Sequence, residues 1–433
     1  MKRYRYDLTH LSYMVGEVGR LMTLSVVPIV AGDSIAASLN GVWRTSPLRR
    51  DMVMDPRLDL FAFFVPHRHI YTNWQDFIKE GMKEDETLAT DTESTTSLLR
   101  CVGYNQVTGT TPRWLTRGYL QIWERYFRVV DDRTNDGVSA STFSSNNTTR
   151  RYGYKCARLK SYMSTGRDLD SAIASDGTVD ITAGTPDTLS LISLAQSKGE
   201  FRTQLKRQWF AARYTDVMRE VYGTSVNTDA DQRPTLCYRQ SQFLSGHDIN
   251  GTGDTSLGTF SGKIASEVSM AMPRKFFREH GALWFMALVR FPTLWADESH
   301  RLVTGSPQPS YKNMAGDPAV LAVEPPEAVL QNFNFDGGNS NSMGTHPAGQ
   351  FYRCHPSVAH HDFESLQGFP FINTNPDLTG TGTGKTAWYV QPQDYDDVFQ
   401  TTQLAHWRSQ IRVNMIADRV VPTVGSSIFA GSK

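Results

Sequence analysis

Two strand-length apolar runs most restrict what this chain can fold into. Residues 58–65 read LDLFAFFV and end at Pro66, and residues 281–291 read GALWFMALVRF. Apolar runs of this length, bounded by turn-forming residues, are typical of strands buried on both faces. Further β-rich segments lie at 20–30, 34–43, 234–244, 258–272 and 410–421. We therefore predict a mainly β chain whose strands fall at roughly 19–70, 234–292 and 407–421.

Two very long insertions separate these strand groups, at roughly 72–233 and 293–406. Insertions longer than about 15 residues are uncommon unless they carry function. The first contains helix-like pieces, of which the best runs from about 198 to 222; the second is mostly irregular and rich in Pro and Gly. A jelly roll of two sheets with elaborated loops accommodates this pattern, so we predict one domain over 1–433.

The charge and cysteine content narrow the classes of function. The chain has 44 basic and 44 acidic residues, whereas proteins that bind nucleic acid by bulk electrostatics are usually clearly basic. Any contact with nucleic acid must therefore be local or shared with a more basic partner. The four cysteines are far apart, which indicates isolated thiols in a reducing compartment. No apolar run approaches the length of a membrane span.

A glycine-rich segment at 379–386, TGTGTGKT, resembles a phosphate-binding loop only in part. The motif requires Gly at the position that Thr379 occupies, and a strand should precede it and a helix follow. Residues 387–390 instead look like a strand, so we predict a flexible loop with no nucleotide. No nucleophile elbow and no pair of catalytic carboxylates is apparent either, and we expect no catalytic residues and no cofactor.

Histidine and aspartate groups suggest metal ligands but do not make a site. His67 and His69 have the spacing used by cupin-type jelly-roll enzymes, yet the Glu expected a few residues later is missing. We therefore predict no metal site there. Two other groups could supply ligands, but polar loops explain them better: His360, His361 and Asp362, and Asp394, Asp396 and Asp397.

Basic residues recur in short groups beside aromatic residues, a combination that permits phosphate contact and base stacking. Salt bridges within or between subunits are the alternative for each group. Three of the residues share one side of the predicted helix at 198–222. The candidates for nucleic-acid contact are Arg49, Arg50, Arg202, Lys206 and Arg213.

Many long segments of the sequence, in order along the chain, resemble the major capsid proteins of the phiX-like phages of the Microviridae. The N-terminal ones are YDLTHLSYMVGEVGRLMTLSVVPIVAGDS (6–34), SPLRR (46–50) and FVPHRHIY (64–71). The central ones are DADQRP (229–234), SGHDINGTGDTSLGTFSGK (245–263) and EHGALWFMALVRFP (279–292). The C-terminal ones are AGDP (315–318), GQFYR (349–353), GFPFI (368–372) and DYDDVFQTTQLAHWRSQIRVN (394–414).

This resemblance implies a single eight-stranded antiparallel jelly roll of the viral capsid type. Its largest insertions would fall between the fifth and sixth strands and between the seventh and eighth. It also implies pentamers that assemble into a 60-copy T=1 shell around circular single-stranded DNA. The implied partners are a spike protein at the five-fold vertices, internal and external scaffolding proteins, and a small basic DNA-packaging protein. The virion, assembled in the bacterial cytoplasm, is the implied location.

The resemblance weakens at 134–188 and 336–347, where surface loops that meet other proteins or the host are expected. A host-surface glycan is left open as a further partner, without named residues. Two other functions remain alternatives from different classes. One is a glycan-binding jelly-roll module, which would not assemble. The other is a cupin-like metalloenzyme built around His67 and His69, which would bind metal stoichiometrically.

Overall fold

The computed structural model describes the strand framework and parts of the insertions. The described residues are 3–48, 55–71, 74, 78, 92–93, 101–103, 111–112, 114–128, 153–157, 159, 233–245, 247–249, 262–292, 294–295, 327–330, 342–346, 372–373, 390–391, 399 and 405–421. The long strands are β1 Tyr4–Asp7, β2 His10–Gly16, β3 Met22–Ile29, β4 Ser34–Thr45, β5 Arg57–Pro66, β9 Thr235–Phe243, β11 Gly262–Phe276, β12 Gly281–Arg290 and β18 Trp407–Arg419.

Short elements complete the described part of the chain. A 3-10 turn, His67–His69, follows β5, and one α-helix, α1, spans Trp114–Tyr126. The short strands are β6 Thr92–Glu93, β7 Thr111–Pro112, β8 Cys156–Ala157, β10 His247–Ile249, β13 Leu294–Trp295, β14 Glu327–Leu330, β15 Ser342–His346, β16 Ile372–Asn373 and β17 Val390–Gln391.

Two antiparallel sheets form the body of the protein. The larger has the order β2–β18–β4–β11, with β1 also paired to β18 and β10 to β11, and the smaller has the order β3–β12–β5–β9. The pairing of β4 with β18 is continuous from Thr45 opposite Trp407 to Ser34 opposite Asp418. β1 and β2 pair with consecutive stretches of β18 and count as one interrupted edge strand, so the nine long segments of the described residues make four strands in each sheet. Two packed antiparallel sheets of this kind make a jelly roll, which confirms the predicted mainly β, antiparallel fold class.

The strand predictions agree with this framework except at two points. β3 to β5, β9, β11, β12 and β18 lie close to the predicted segments, but β1 and β2, at 4–16, precede the predicted start at 19. The first insertion follows β5, which is the fourth of the eight strands, so the expected position between the fifth and sixth strands is wrong by one. The helix predicted at 198–222 lies outside the described residues.

The core lies between the two sheets, where alternating residues of the larger sheet point inward. β11 and β18 alternate strictly between buried and exposed residues along most of their length. Trp43 of β4 packs on Trp407 of β18 with ring centroids 4.0 Å apart, and both side chains are fully buried. Burial of each large apolar side chain contributes roughly 1.5–3 kcal/mol, so this interior is the main source of stability.

The smaller sheet is covered on its outer face as well. Nearly every residue of β5 and β12 is buried, as expected for continuous apolar runs. The apolar residues of α1 recur at helical spacing and cover this face, and Phe127, just after α1, contacts Phe61 with ring centroids 5.0 Å apart. The buried apolar residues of α1 are Leu115, Tyr119, Ile122 and Trp123.

One tyrosine ties the covering segments to the sheet. The hydroxyl of Tyr119 donates to the carbonyl of Leu21 at 2.7 Å and accepts from the amide of Tyr154 at 3.0 Å. Gly153 sits here with φ 88°, and a β-carbon on it would lie 2.2 Å from the carbonyl oxygen of Leu21. Only glycine combines that conformation with so close an approach. Part of the first insertion is therefore integral to the sandwich.

Candidate interaction surface

β2 presents three of its four large apolar side chains outward, against the usual pattern. Leu11, Tyr13 and Val15 are 57%, 67% and 50% exposed, although strands that cover a core normally turn such residues inward. They lie at every second position, so they form one stripe on the outer face of the larger sheet. Contiguous apolar groups on an outer face mark sites of interaction.

The inward side of β2 carries two polar residues bonded to β3, and Met14, which packs against the core. His10 Nε2 lies 2.7 Å from the hydroxyl of Ser25, and the hydroxyl of Ser12 donates to the carbonyl of Leu24 at 2.6 Å. These bonds satisfy the polar groups that the reversed pattern turns toward the sandwich. The orientation of β2 is therefore fixed, and its apolar stripe is held outward.

Two arginines stand directly opposite each other next to this stripe. In the register of the larger sheet, Val15 is opposite Arg408, Arg408 is opposite Arg44, and Arg44 is opposite Ala265. Like charges directly opposite on one face of a sheet are destabilising. Neither arginine forms an ion pair with any other residue that the structure describes. The juxtaposition is thus a local cost that folding alone does not require.

We call this region the arginine face and define it by the outward residues of four adjacent strands. They are Leu11, Tyr13 and Val15 of β2; Arg408, Gln410 and Arg412 of β18; Asn40, Val42 and Arg44 of β4; and Lys263, Ala265 and Glu267 of β11. Four of these residues are cationic and one is anionic. The face therefore carries a local positive charge although the whole chain is neutral.

A shallow depression of about 430 Å³ lies in the arginine face. Its lining includes Tyr13 and Val15 of β2, Arg408 and Gln410 of the central strand β18, and Val42 and Arg44 of β4. The side-chain amide of Gln410 donates to the hydroxyl of Tyr13 at 3.3 Å, which limits the orientation of the phenol ring. An aromatic ring, an apolar edge and two guanidinium groups thus surround one small volume.

At the opposite end of the same sheet, two arginines share a carboxylate. Asp418 of β18 accepts a hydrogen bond from Arg5 at 3.0 Å and also pairs with Arg274. The hydrogen bond from Arg5, helped by the charge of Arg274, holds the pKa of Asp418 below its ordinary value. Ion pairing is therefore available on this sheet, and the arginine face differs because Arg44 and Arg408 form none with the described part of the chain.

A second cluster of charge surrounds a buried carboxylate of the smaller sheet. Asp59 of β5 is fully buried and pairs with Arg290 at 2.6 Å and with Arg57 and Arg239 at 3.2 Å each. Burial alone would raise the pKa of Asp59, but the hydrogen bond from Ser241 and the charge of Arg290 together bring it below its ordinary value. The Asp in the run LDLFAFFV was the sequence signal for this cluster, and sequence reasoning missed it.

His67, considered in the sequence for metal binding, lies instead among aromatic rings. Its ring centroid is 5.0 Å from that of Trp74 and 5.6 Å from that of Trp114. Burial, with a smaller effect from the charge of His280, lowers the pKa of His67 to about 4. Among the described residues, no group of three or more His, Cys, Asp or Glu side chains could hold a metal ion.

Comparison with known proteins relates the chain to phage capsids along nearly its whole length. The family model described as Capsid protein (F protein) matches residues 1–167 and 166–429. Capsid protein F of Escherichia phage alpha3 is 33% identical over 430 residues, which cover 98% of this chain and 96% of the relative. Capsid protein F of Escherichia phage G4 is 33% identical, covering 99% and 97%, and that of Enterobacteria phage phiK is 32% identical, covering 98% and 96%.

The chain belongs to the capsid protein F family. It is therefore a bacteriophage structural protein of the Microviridae type, which confirms the resemblance of its sequence. The relatives are named as structural components of capsids, so membership gives no support to the cupin-like or glycan-binding alternatives. In the part of the chain that the structure describes, no helix is long and apolar enough to span a membrane.

Most of the candidate site residues predicted from the sequence lie outside the described residues. The candidates for nucleic-acid contact lie outside the described residues: Arg49, Arg50, Arg202, Lys206 and Arg213. So do the glycine-rich segment 379–386 and the polar groups at 360–362 and 394–397. Sequence reasoning passed over the arginine face, although the alternating run from Leu11 to Val15 was visible in the sequence.

The cysteines that can be placed are free thiols. Cys101 and Cys156 are fully buried near Tyr119, and burial raises the pKa of each to about 12. Cys237 is half-buried and its pKa is also raised by burial. Thiols with raised pKa values are inert at neutral pH, so these cysteines act as small apolar residues of the core.

Proposed function

We propose that this protein is the shell subunit of a 60-copy T=1 icosahedral capsid, assembled through pentamers around circular single-stranded DNA. The observation that carries the proposal is the match to the capsid protein F family over nearly the whole chain. The role is structural and not enzymatic. The chain acts as one jelly-roll domain, 1–433, located in the virion and assembled in the cytoplasm of a bacterial host.

The fold suits such a role because its two sheets, together with the part of the first insertion that packs on them, form one buried framework. The two sheets form a densely packed framework, and both long insertions leave from the ends of buried strands, β5 and β12. Segments anchored to so rigid a base can form intersubunit contacts without disturbing the core. In a closed shell every copy satisfies the same contacts, so many weak contacts add up.

The further partners follow the family resemblance. A spike protein occupies the five-fold vertices, and internal and external scaffolding proteins guide assembly. A small basic DNA-packaging protein accompanies the genome and supplies most of the charge that opposes its phosphates, which is consistent with the neutral charge of this chain. Local contact with DNA at Arg49, Arg50, Arg202, Lys206 and Arg213 remains part of this proposal, and a host-surface glycan stays open as a ligand.

Electron microscopy of the purified full chain tests the shell directly. The protein is isolated from infected cells, and separately after expression alone. We expect closed particles about 25–30 nm across in the first case, and particles or five-membered rings in the second. A persistent monomer in both preparations would contradict the proposal. Glycan-array binding and metal analysis of that monomer would then separate the two alternatives.

A further inference from the structure

We propose that the arginine face binds single-stranded nucleic acid, with Arg44 and Arg408 on backbone phosphates and Tyr13 stacked on a base. This inference rests on the proposed capsid function, which places a single-stranded genome next to the protein, and it assigns that contact to described residues. The ligand that we assign to the arginine face is the polynucleotide itself.

Charge complementarity is the first argument. Arg44 and Arg408 repel each other across adjacent strands. The whole arginine face has four cationic residues, these two included, and one carboxylate, Glu267. A bound phosphate between two guanidinium groups converts that repulsion into two charge-assisted contacts. Since the chain has no net charge, nucleic acid would be held by this local excess and not by the protein as a whole.

The exposed ring of Tyr13 is the second argument. It is 67% exposed beside the depression, and its hydroxyl is held by Gln410, so the ring is presented to solvent in a limited orientation. Aromatic rings next to a positively charged groove are how proteins hold single strands without sequence preference. The flanking Leu11 and Val15 offer apolar contact to bases, which a duplex would keep inside its stack.

The other end of the sheet supplies an internal comparison. Arg5 and Arg274 are also on the larger sheet, but both form ion pairs with Asp418. A surface selected only for solubility would have no reason to treat the two ends differently. We therefore expect that removing two positive charges weakens binding of nucleic acid at the arginine face and leaves it unchanged at the other end.

The test measures binding of a fluorescein-labelled oligothymidylate to the full-length protein by fluorescence anisotropy over a range of salt concentrations. The double variant Arg44→Gln/Arg408→Gln is compared with Arg5→Gln/Arg274→Gln, which removes the same charge from the same sheet. We expect the first pair to weaken binding at least about tenfold and to reduce the salt slope by about 1.4, as expected for two lost phosphate contacts on a single strand. The second pair should bind like the unmodified protein.

Tyr13 is tested separately from charge. Tyr13→Ser should weaken binding roughly tenfold with an unchanged salt slope, and Tyr13→Phe should restore it, since stacking needs only the ring. Equal affinity and slope for the Arg44→Gln/Arg408→Gln variant and the unmodified protein would overturn the proposal. An equal loss in the Arg5→Gln/Arg274→Gln variant would also overturn it, because binding would then follow overall charge.

Ultraviolet cross-linking keeps the proposal testable if the variants fail to fold. Particles purified from infected cells are irradiated, digested with trypsin and analysed for peptides linked to nucleotides. Cleavage after Arg5 and Arg20 gives residues 6–20, which contain Tyr13. Cross-links in this peptide would support the proposal, and cross-links confined to other peptides would contradict it. Electron microscopy of the same particles reports on shell formation independently, so failure of this inference is distinguishable from failure of the capsid proposal.

Discussion

Gly118 of α1 lies so close to the indole of Trp284 in β12 that a β-carbon at position 118 would be 2.8 Å from Cζ2 of the ring. Trp284 is fully buried in the central part of the smaller sheet. The contact sets how closely the helix of the first insertion approaches the sheet. The missing side chain of Gly118 is thus part of the packing, although glycine weakens a helix by itself.

We expect Gly118→Ala to destabilise the fold by about 1–3 kcal/mol, because the added methyl group overpacks the helix–sheet contact. An isolated helix would gain about 1 kcal/mol from the same change, so the sign separates packing from propensity. Urea unfolding of the unassembled protein measures the effect. Trp284→Phe frees space at the ring, so the double variant should show less than the sum of the two single losses. Strict additivity would mean that the two residues do not limit each other.

Asp59→Asn should destabilise the protein by about 3 kcal/mol, at the lower end for a broken buried ion pair. Arg290 would then remain almost buried without its carboxylate, whereas Arg57 and Arg239 can turn toward solvent. Chemical denaturation at neutral pH measures the loss. Asp418→Asn is the matched control, since it removes the same charge from a surface group, and it should change the unfolding free energy little. Equal losses at both positions would contradict the assigned role of burial.

Acid should weaken the fold through His67. Its pKa is about 4 in the folded protein and near 6.5 when the chain is unfolded, so the unfolded chain binds the proton first. The stabilisation is complete above pH 6.5 and is lost as the pH falls toward 4 and below, by up to about 3 kcal/mol. We expect His67→Gln to flatten the decline of the unfolding free energy between these pH values.

Two buried carboxyl groups add to this acid response with opposite signs. The lowered pKa of Asp59 adds stability that is lost only at lower pH, as the carboxylate protonates. Burial raises the pKa of Asp33, so protonation of Asp33 favours the folded state. The comparison of His67→Gln with the unmodified protein cancels both effects. An unchanged slope between pH 6.5 and 4 in the variant would exclude His67 as the source.

Tyr119→Phe should cost about 1–3 kcal/mol although it removes a single oxygen atom. The hydroxyl serves the carbonyl of Leu21 and the amide of Tyr154, and each of these buried groups would lose that hydrogen bond. Thermal or urea unfolding measures the loss. Tyr13→Phe removes the same atom from an exposed ring and should leave stability unchanged. Hydrogen exchange at Tyr154 should accelerate in the Tyr119 variant, because that amide loses its acceptor.

The strands were predictable where burial on both faces made them continuous apolar runs, as at 58–65 and 281–291. β2 was not, because Leu11, Tyr13 and Val15 point outward and the inward His10 and Ser12 are satisfied by β3. Hydrophobic alternation identifies a strand but does not say which face meets the core. For the same reason the arginine face escaped prediction, since Arg44 and Arg408 come together only through sheet register.

Other parts of the site depend on neighbours that are distant in sequence. Asp59 was visible within an apolar run, but the three arginines that stabilise it come from three strands. The helix at 114–126 was predicted only as one of several helix-like pieces in the first insertion, although its apolar residues recur at helical spacing. Local pattern can indicate such a helix, but tertiary packing decides that it covers the smaller sheet.

The position of β18 in the larger sheet has a consequence for the timing of synthesis. This strand lies between β2 and β4, yet the ribosome makes it long after both. Until residues 407–419 emerge, β2 and β4 have no common neighbour, and Tyr13, Arg44 and Arg408 do not share a surface. A growing chain on a polysome therefore cannot present this surface to neighbouring chains or to the genome. Chain order alone thus delays association until translation of the sheet is complete.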